Sequence, residues 1–206
     1  MKRPTRRSEQ NREKIIRAAR GVVSQQGISN TTLQLIADEA GISKGALYYY
    51  FKTKDEILYD IMEQDNTESD KIAETVSSES FDFDELITEI VDGIIKRFHA
   101  EENNRLNLYL QGEALQGNSE LQKRYKKKYS EWVENIDLII SKIFKMKKSS
   151  LTRTFAAVTL AAIEGMCIQK ALLGDILVDE EFLRKVGLLF MNQEFSQLYT
   201  LLEENA

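Results

Sequence analysis

Proline is nearly absent from this chain: Pro4 is the only one in 206 residues. With the main helix breaker missing beyond residue 4, nothing in the composition interrupts long helices. Cysteine is as scarce. Cys167 stands alone, which excludes an intrachain disulfide and fits a reducing compartment. His99 is the single histidine, so the ligand set of a zinc site is missing, and no metal or cofactor is expected. No nucleophile–His–acid set and no phosphate loop is visible, so the chain does not read as an enzyme. The most apolar run, Phe155 to Ile168, is broken by Thr159 and Glu164. It falls short of the roughly 18 apolar residues of a spanning helix. The basic N-terminus runs into SEQNREK, which is not the apolar core of a signal peptide. These absences predict a cytoplasmic protein with no membrane partner.

What is present is an uneven charge. The net charge of −5 divides into 11 Lys and Arg against 4 Asp and Glu in residues 1–54, and 17 against 29 in the remainder. That is +7 on the first quarter and −12 on the rest. A basic end on an acidic body fits a DNA-binding domain joined to a ligand domain. The plainer alternative is a solvated basic tail. The length suits one large domain or two small ones.

The stretch that organises the chain is Thr31 to Leu58, TTLQLIADEAGISKGALYYYFKTKDEIL. Thr31 with Gln34 reads as a capping box, so a helix begins near Leu33. Leu33, Ile36, Ala37 and Ala40 fall on one face of it. Gly41 ends it. Ser43 caps a second helix from Lys44 to about Tyr50. Two helices joined by a short turn with Gly form a helix-turn-helix, whose second helix enters the major groove of DNA. Leu47 and Phe51, four apart, are its apolar anchors against Ile36 and Ala37. Tyr48, Tyr49 and Tyr50 cannot all be core, and a phenol can donate to a phosphate oxygen. Thr53 with Glu56 predicts a further helix continuing to about Ser77.

Before this stretch lies a basic arm with Lys2, Arg3, Arg6 and Arg7, then a helix from about Ser8 to Gln26 with the stripe Ile15, Ala19, Val22 and Val23. After it, Asp82 with Glu85 starts a helix whose broad apolar face ends at Phe98. Others follow from about Asn104 to Gln116 and from Ser119 to about Lys145. The basic run Lys123 to Lys128 reads as a solvated face. A helix from Ser149 or Ser150 to about Leu173 is apolar on nearly every side, so it must be covered on nearly every side. Asp179 caps a last helix with Phe182, Val186, Leu189, Phe190, Leu198 and Leu202. Paired across a two-fold axis these two C-terminal helices would make a four-helix bundle; they could also pack within one subunit. The total is an all-α fold of about nine helices.

The N-terminal third resembles the TetR family of bacterial transcriptional regulators. The resemblance rests on Gly27, Thr31-Thr32, Ile36-Ala37, Ala40-Gly41-Ile42-Ser43, Gly45, Leu47-Tyr48, Tyr50-Phe51, Lys54 and Leu58, in the family's spacing, and covers about residues 10–58. Asp55 stands where Glu is common. The resemblance implies that Thr32, Gln34 and Ser43 meet DNA from the first helix and the turn. It implies that Lys44, Gly45, Ala46, Tyr48, Tyr49 and Tyr50 meet it from the second, and that Lys54 holds a phosphate. It further implies a homodimer with a DNA-binding domain at 1–58 and a helical ligand-binding and dimerisation domain at 59–206. A small effector would release such a protein from its operator. Arg105 to Trp132 is similar, more loosely, to AcrR-like and choline-responsive repressors, which does not fix the ligand.

Candidate effector contacts are the polar or aromatic residues on otherwise apolar faces: His99, Tyr109, Glu113, Tyr129, Trp132 and Glu164. Glu164 stands out, because ALAAIEGMCI puts an acid in the most apolar helix, and a buried carboxylate needs a partner or becomes protonated. The partner is either a cationic ligand, with Trp132 or Tyr129 as its aromatic face, or an Arg or Lys of the protein. The expectation is therefore a homodimeric repressor released from double-stranded operator DNA by a small apolar or cationic effector. The alternative is an architectural DNA-binding protein of the same fold without an effector.

Overall fold

The absence of internal proline has its expected result. The computed structural model describes residues 6–65, 68–78, 82–174, 180–181 and 184–185. Among these, nine α-helices occur and no strand: α1 (Arg6–Gln26), α2 (Leu33–Glu39), α3 (Lys44–Tyr50), α4 (Lys54–Asp65), α5 (Glu68–Ser77), α6 (Phe83–His99), α7 (Glu101–Leu115), α8 (Ser119–Ile143) and α9 (Ser150–Leu173). They pack as two compact units. One holds the described residues of 1–66 and 105–123, the other those of 67–104 and 124–206. The divisions fall after α4 and inside α7 and α8.

In the first unit α1 packs on α2 and α4, and α2 packs on α3. The stripe Ile15, Ala19 and Val22 is buried, as are Ile36, Ala37, Leu47, Phe51, Ile57 and Leu58. Helices of seven residues, like α2 and α3, are too short to be stable alone and depend on this packing and on their caps. The cap of α2 differs from the sequence reading. Thr32 is the N-cap, its hydroxyl accepting from the Leu35 amide at 3.2 Å. Thr31 is buried and spends its hydroxyl on the Gly27 carbonyl at 2.8 Å. The expected Thr31–Gln34 box is thus absent, and Gln34 bonds Asp38 instead. Gly41 takes φ 61°, the left-handed turn between α2 and α3. Arg12 of α1 pairs with Asp60 of α4 and lies 4.5 Å from the centre of the Phe51 ring, fastening three elements.

In the second unit α6 packs on α5 and on α9. Ile72 and Val76 of α5, Leu86 and Ile87 of α6 and Ile143 of α8 form one apolar cluster. Asp82 caps α6 as expected, accepting from the Glu85 amide at 2.9 Å. Only Ala100 separates α6 from α7, three residues earlier than the sequence suggests; Asn104 holds the corner by donating to the Arg97 carbonyl at 2.9 Å. The single helix expected from Thr53 to Ser77 is instead α4 and α5, on either side of 66–67. Ser149 and Thr152 form a reciprocal capping box at the start of α9, and Gly174 closes it at φ 74°. The predicted basic-arm residues Lys2 and Arg3, and the last helix with Asp179, Phe182, Val186, Leu189, Phe190, Leu198 and Leu202, lie outside the described residues.

One expectation fails here. Lys128 is buried, not solvated. Its ammonium pairs with Asp70 at 3.6 Å and Glu131 at 3.8 Å, while its neighbours Lys123, Lys126 and Lys127 are exposed. Within the single chain, α9 buries Thr152, Ala156, Leu160 and Cys167 and exposes Val158, Leu172 and Leu173. It is also long and apolar enough to cross a membrane by length and composition alone, its most apolar window averaging 1.4 in hydropathy. Counting uninterrupted apolar residues missed that, because Thr and Gly lower such an average only slightly and the many Ala raise it.

Candidate functional site

The helix-turn-helix presents one face outward. Leu47 turns inward and is fully buried, which forces its neighbours to the other sides of α3. Tyr49 is 82% exposed and Tyr48 48%; Lys44, Gly45 and Ala46 are exposed as well. Thr32, Gln34 and Ser43 open onto solvent from α2 and the turn. Eight of the ten residues expected on DNA are therefore exposed, and Tyr50 and Lys54 are half-buried.

The capping geometry shapes what these groups can do. The Ser43 hydroxyl accepts from the Ala46 amide at 3.1 Å, as Thr32 does from Leu35. A hydroxyl used as an acceptor keeps its own proton to donate. Each cap can therefore hold its helix and donate to a phosphate oxygen at once. Tyr50 is turned to α1, its hydroxyl accepting from Asn11 at 2.9 Å. Lys54 donates to the Ile28 carbonyl at 3.2 Å and lies 5.3 Å from the centre of the Tyr109 ring. Two of its three donors are left beyond that carbonyl. An exposed, cation-bearing surface with phenols and hydroxyls suits a phosphate backbone and base edges.

The six candidate effector residues fall into three groups. Tyr109 and Glu113 belong to the first unit, beside Asp55. The Asp55 carboxyl is pushed up, first by burial and then by the Glu113 charge, against which Lys54 and a 3.1 Å bond from Asn118 act. The Tyr109 phenol is pushed up by burial and by the same two carboxylates. His99 is exposed at the end of α6, its Nε2 2.6 Å from Glu180. Tyr129, Trp132 and Glu164 do come together, in the second unit. Tyr129 donates to Glu164 Oε2 at 2.5 Å, and its ring meets Trp132 edge-on at 5.5 Å.

The residue that sequence reasoning missed there is Arg97. Its guanidinium is 3.6 Å from Glu164 Oε1 and 5.4 Å from the centre of the fully buried Trp132 ring. The sequence held one signal for it: an acid in α9 requires a cation, and Arg97 sits in the last turn of α6, the helix that packs on α9. Burial pushes the Glu164 carboxyl up from its ordinary 4.5, and the Tyr129 bond and the Arg97 charge pull the other way. Burial likewise pushes up the Cys167 thiol, which neighbours Arg97. Among the described residues no cluster of His, Cys, Asp and Glu has the makings of a metal site.

Residues 15–61 match the sequence profile described as bacterial regulatory proteins, tetR family. The chain is 39% identical over 56 residues to the transcriptional regulator AcrR of Shigella flexneri, and 47% identical over 51 residues to HbdR of Aromatoleum. These matches cover 27% and 25% of this chain, and about a quarter of each relative, 26% and 22%. Solved structures match over much more. A TetR transcription regulator from Haloarcula marismortui aligns over 89% of this chain and 97% of its own, with a TM-score of 0.69 at 19% identity, a likeness of fold. The multidrug binding protein EbrR in complex with imidazole aligns over 89% of this chain and 91% of its own, with a TM-score of 0.59 at 26% identity.

Proposed function

Because residues 15–61 match the profile of the tetR family of bacterial regulatory proteins, we propose that the chain is a TetR-family, sequence-specific DNA-binding transcriptional regulator, acting as a homodimeric repressor that a small effector releases from its operator. The observation that carries this reading is α3. Its one buried residue fixes Lys44, Tyr48 and Tyr49 on an outward face, at the basic end of an otherwise acidic chain. Phosphate contacts from that face position the helix, and its side chains reach base edges in the major groove.

Dimerisation is supported by α9. Val158, Leu172 and Leu173 expose an apolar strip that water disfavours and a second copy would cover. Two copies place two α3 helices about 34–36 Å, or a multiple of that, apart on a near-palindrome. An effector that prefers another separation of these helices draws the dimer off DNA. A coupling on the order of 1–3 kcal/mol suffices for that, and by linkage DNA weakens effector binding equally. The Tyr129–Trp132–Glu164 cluster is the effector contact we favour. The binding of imidazole by EbrR, a 26%-identical relative in fold and sequence, lends support to a small-molecule site.

Selection of genomic fragments by the purified protein, repeated with a panel of candidate compounds, tests this reading. Recovery of a few palindromic fragments, released by one compound, is the expected result. Fragments spread over many unrelated sites, with no compound releasing them, would favour an architectural role.

A further inference from the structure

Two neighbouring residues of α1 meet the end of α3. Arg12 lies against the Phe51 ring and pairs with Asp60 of α4, which fixes how α1 sits there. One position earlier, Asn11 donates from Nδ2 to the Tyr50 hydroxyl at 2.9 Å, and both side chains are half-buried. The direction of this bond has a chemical consequence. A phenol that accepts still has its own proton to give. Among the described residues, nothing accepts that proton. An aspartate at position 11 would reverse the bond, because an ionised carboxylate only accepts and the phenol would donate to it. The amide leaves the proton available to a group from outside.

The surroundings say what kind of group that is. Arg7 and Lys14, four residues before Asn11 and three after it, share its face of α1, and both are exposed. Glu9 and Glu13, two residues to either side, lie on other faces. An anion drawn to the two cations therefore comes to the helix face from which Asn11 holds Tyr50. The Tyr50 ring is braced on its other side as well. It meets the exposed Tyr49 ring edge-on, with centroids 5.2 Å apart and planes at 83°. Asn11 lies before residues 15–61, the stretch that the family profile matches.

We propose that Asn11 is a positioning residue of the DNA interface: by donating to the Tyr50 hydroxyl it reserves the phenol's proton for a phosphate oxygen of the duplex. Asn11 acts through Tyr50, so α1 sets the direction of a contact that α3 makes. This rests on the reading of α3 as the DNA-binding helix and adds to it a residue on another helix.

The test is a double-mutant cycle on DNA affinity. A duplex fragment selected by the wild type from genomic DNA is titrated, by fluorescence anisotropy, with full-length wild type, Tyr50→Phe, Asn11→Asp and the double variant. Tyr50→Phe removes only the hydroxyl and should weaken binding about tenfold or more, the worth of a hydrogen bond to a charged oxygen. Asn11→Asp turns the phenol inward and should weaken binding at least as much. Its new charge also repels phosphate, and the double variant separates the two effects. Once Asn11→Asp is present, Tyr50→Phe should cost nothing further, a coupling that a merely structural Asn11 would not produce. An equal cost of Tyr50→Phe in both backgrounds, or no cost in the wild type, would overturn the proposal. Should Asn11→Asp not fold by circular dichroism, Asn11→Leu takes its place. It should cost severalfold with Tyr50 present and nothing in Tyr50→Phe, and equal costs in the two would again refute the idea. A wild type that selects no fragment sinks the DNA reading itself; a wild type that binds, with costs that simply add, sinks only the role of Asn11.

Discussion

Ser43 is asked to do two things: cap α3 and donate to a phosphate. The two can be separated. Ser43→Ala removes the 3.1 Å bond to the Ala46 amide. Losing such a cap costs typically ~1 kcal/mol, within a range of about 0.5–2. The upper half of that range is expected, because α3 has only seven residues and little else holds its first turn. Ser43→Asp keeps an acceptor at the cap, and aspartate is as good an N-cap as serine, so stability should match the wild type within about 0.5 kcal/mol. On DNA the outcome reverses. A carboxylate about 5 Å from a phosphate is repelled by ~1 kcal/mol in bulk water and ~3 kcal/mol at an effective dielectric near 20. That is roughly a five- to 150-fold loss of affinity, and the loss shrinks as salt is added. Urea unfolding gives the first quantity and fluorescence anisotropy on a selected fragment gives the second. If Ser43→Asp destabilises as much as Ser43→Ala, the cap is wrongly assigned. If it binds DNA as the wild type does, no phosphate lies beside Ser43.

Three further outcomes follow from the packing and the charges. Leu47→Ala empties a site with no solvent exposure and should cost about 2–5 kcal/mol in urea unfolding, with the first unit the part that loosens in hydrogen exchange. Glu164 has its folded pKa raised, so the folded state holds the proton more tightly than the unfolded one; stability should therefore fall as pH rises from about 4.5, the ordinary value, through the raised one. Glu164→Gln should flatten that decline in chemical unfolding measured at successive pH values, and an unchanged slope would assign it to other groups. Tyr129→Phe removes a 2.5 Å bond to the same carboxylate. It should cost about 1.5–3 kcal/mol when Glu164 is ionised and less at acid pH, which the same titration would detect.

The positions of the helix-turn-helix elements were almost wholly legible in the sequence, because local rules decide them. Gly41, Ser43 and the Leu47–Phe51 spacing act within one or two turns of the chain, and the positions of α2 and α3 follow from them. The one local error, Thr31 for Thr32 as the cap, came from adjacent residues of the same type. Burial decided between them, and burial is a tertiary property. The second unit was less legible for the same reason. Glu164 announced that it needed a partner, but Arg97 lies 67 positions earlier and is chosen by the packing of α6 on α9. Lys128 looked like the rest of its basic run until Asp70, on another helix, claimed it. Tyr109 and Glu113 stand out in the sequence because they interrupt an apolar face; that they meet Asp55 depends on α4, whose position no periodicity in α7 could reveal.

The central claim is that the exposed face of α3 reads DNA. Tyr49→Ala and Lys44→Ala touch only that face, so each should leave stability within about 0.5 kcal/mol of the wild type. Combined in one protein and measured on a selected genomic fragment, they should lower affinity by about a hundredfold or more. With the proposed phosphate contact of Lys44 removed, the salt dependence of binding should also fall by about one unit of slope. A folded double variant that binds the fragment as tightly as the wild type, with the same salt slope, would contradict the account.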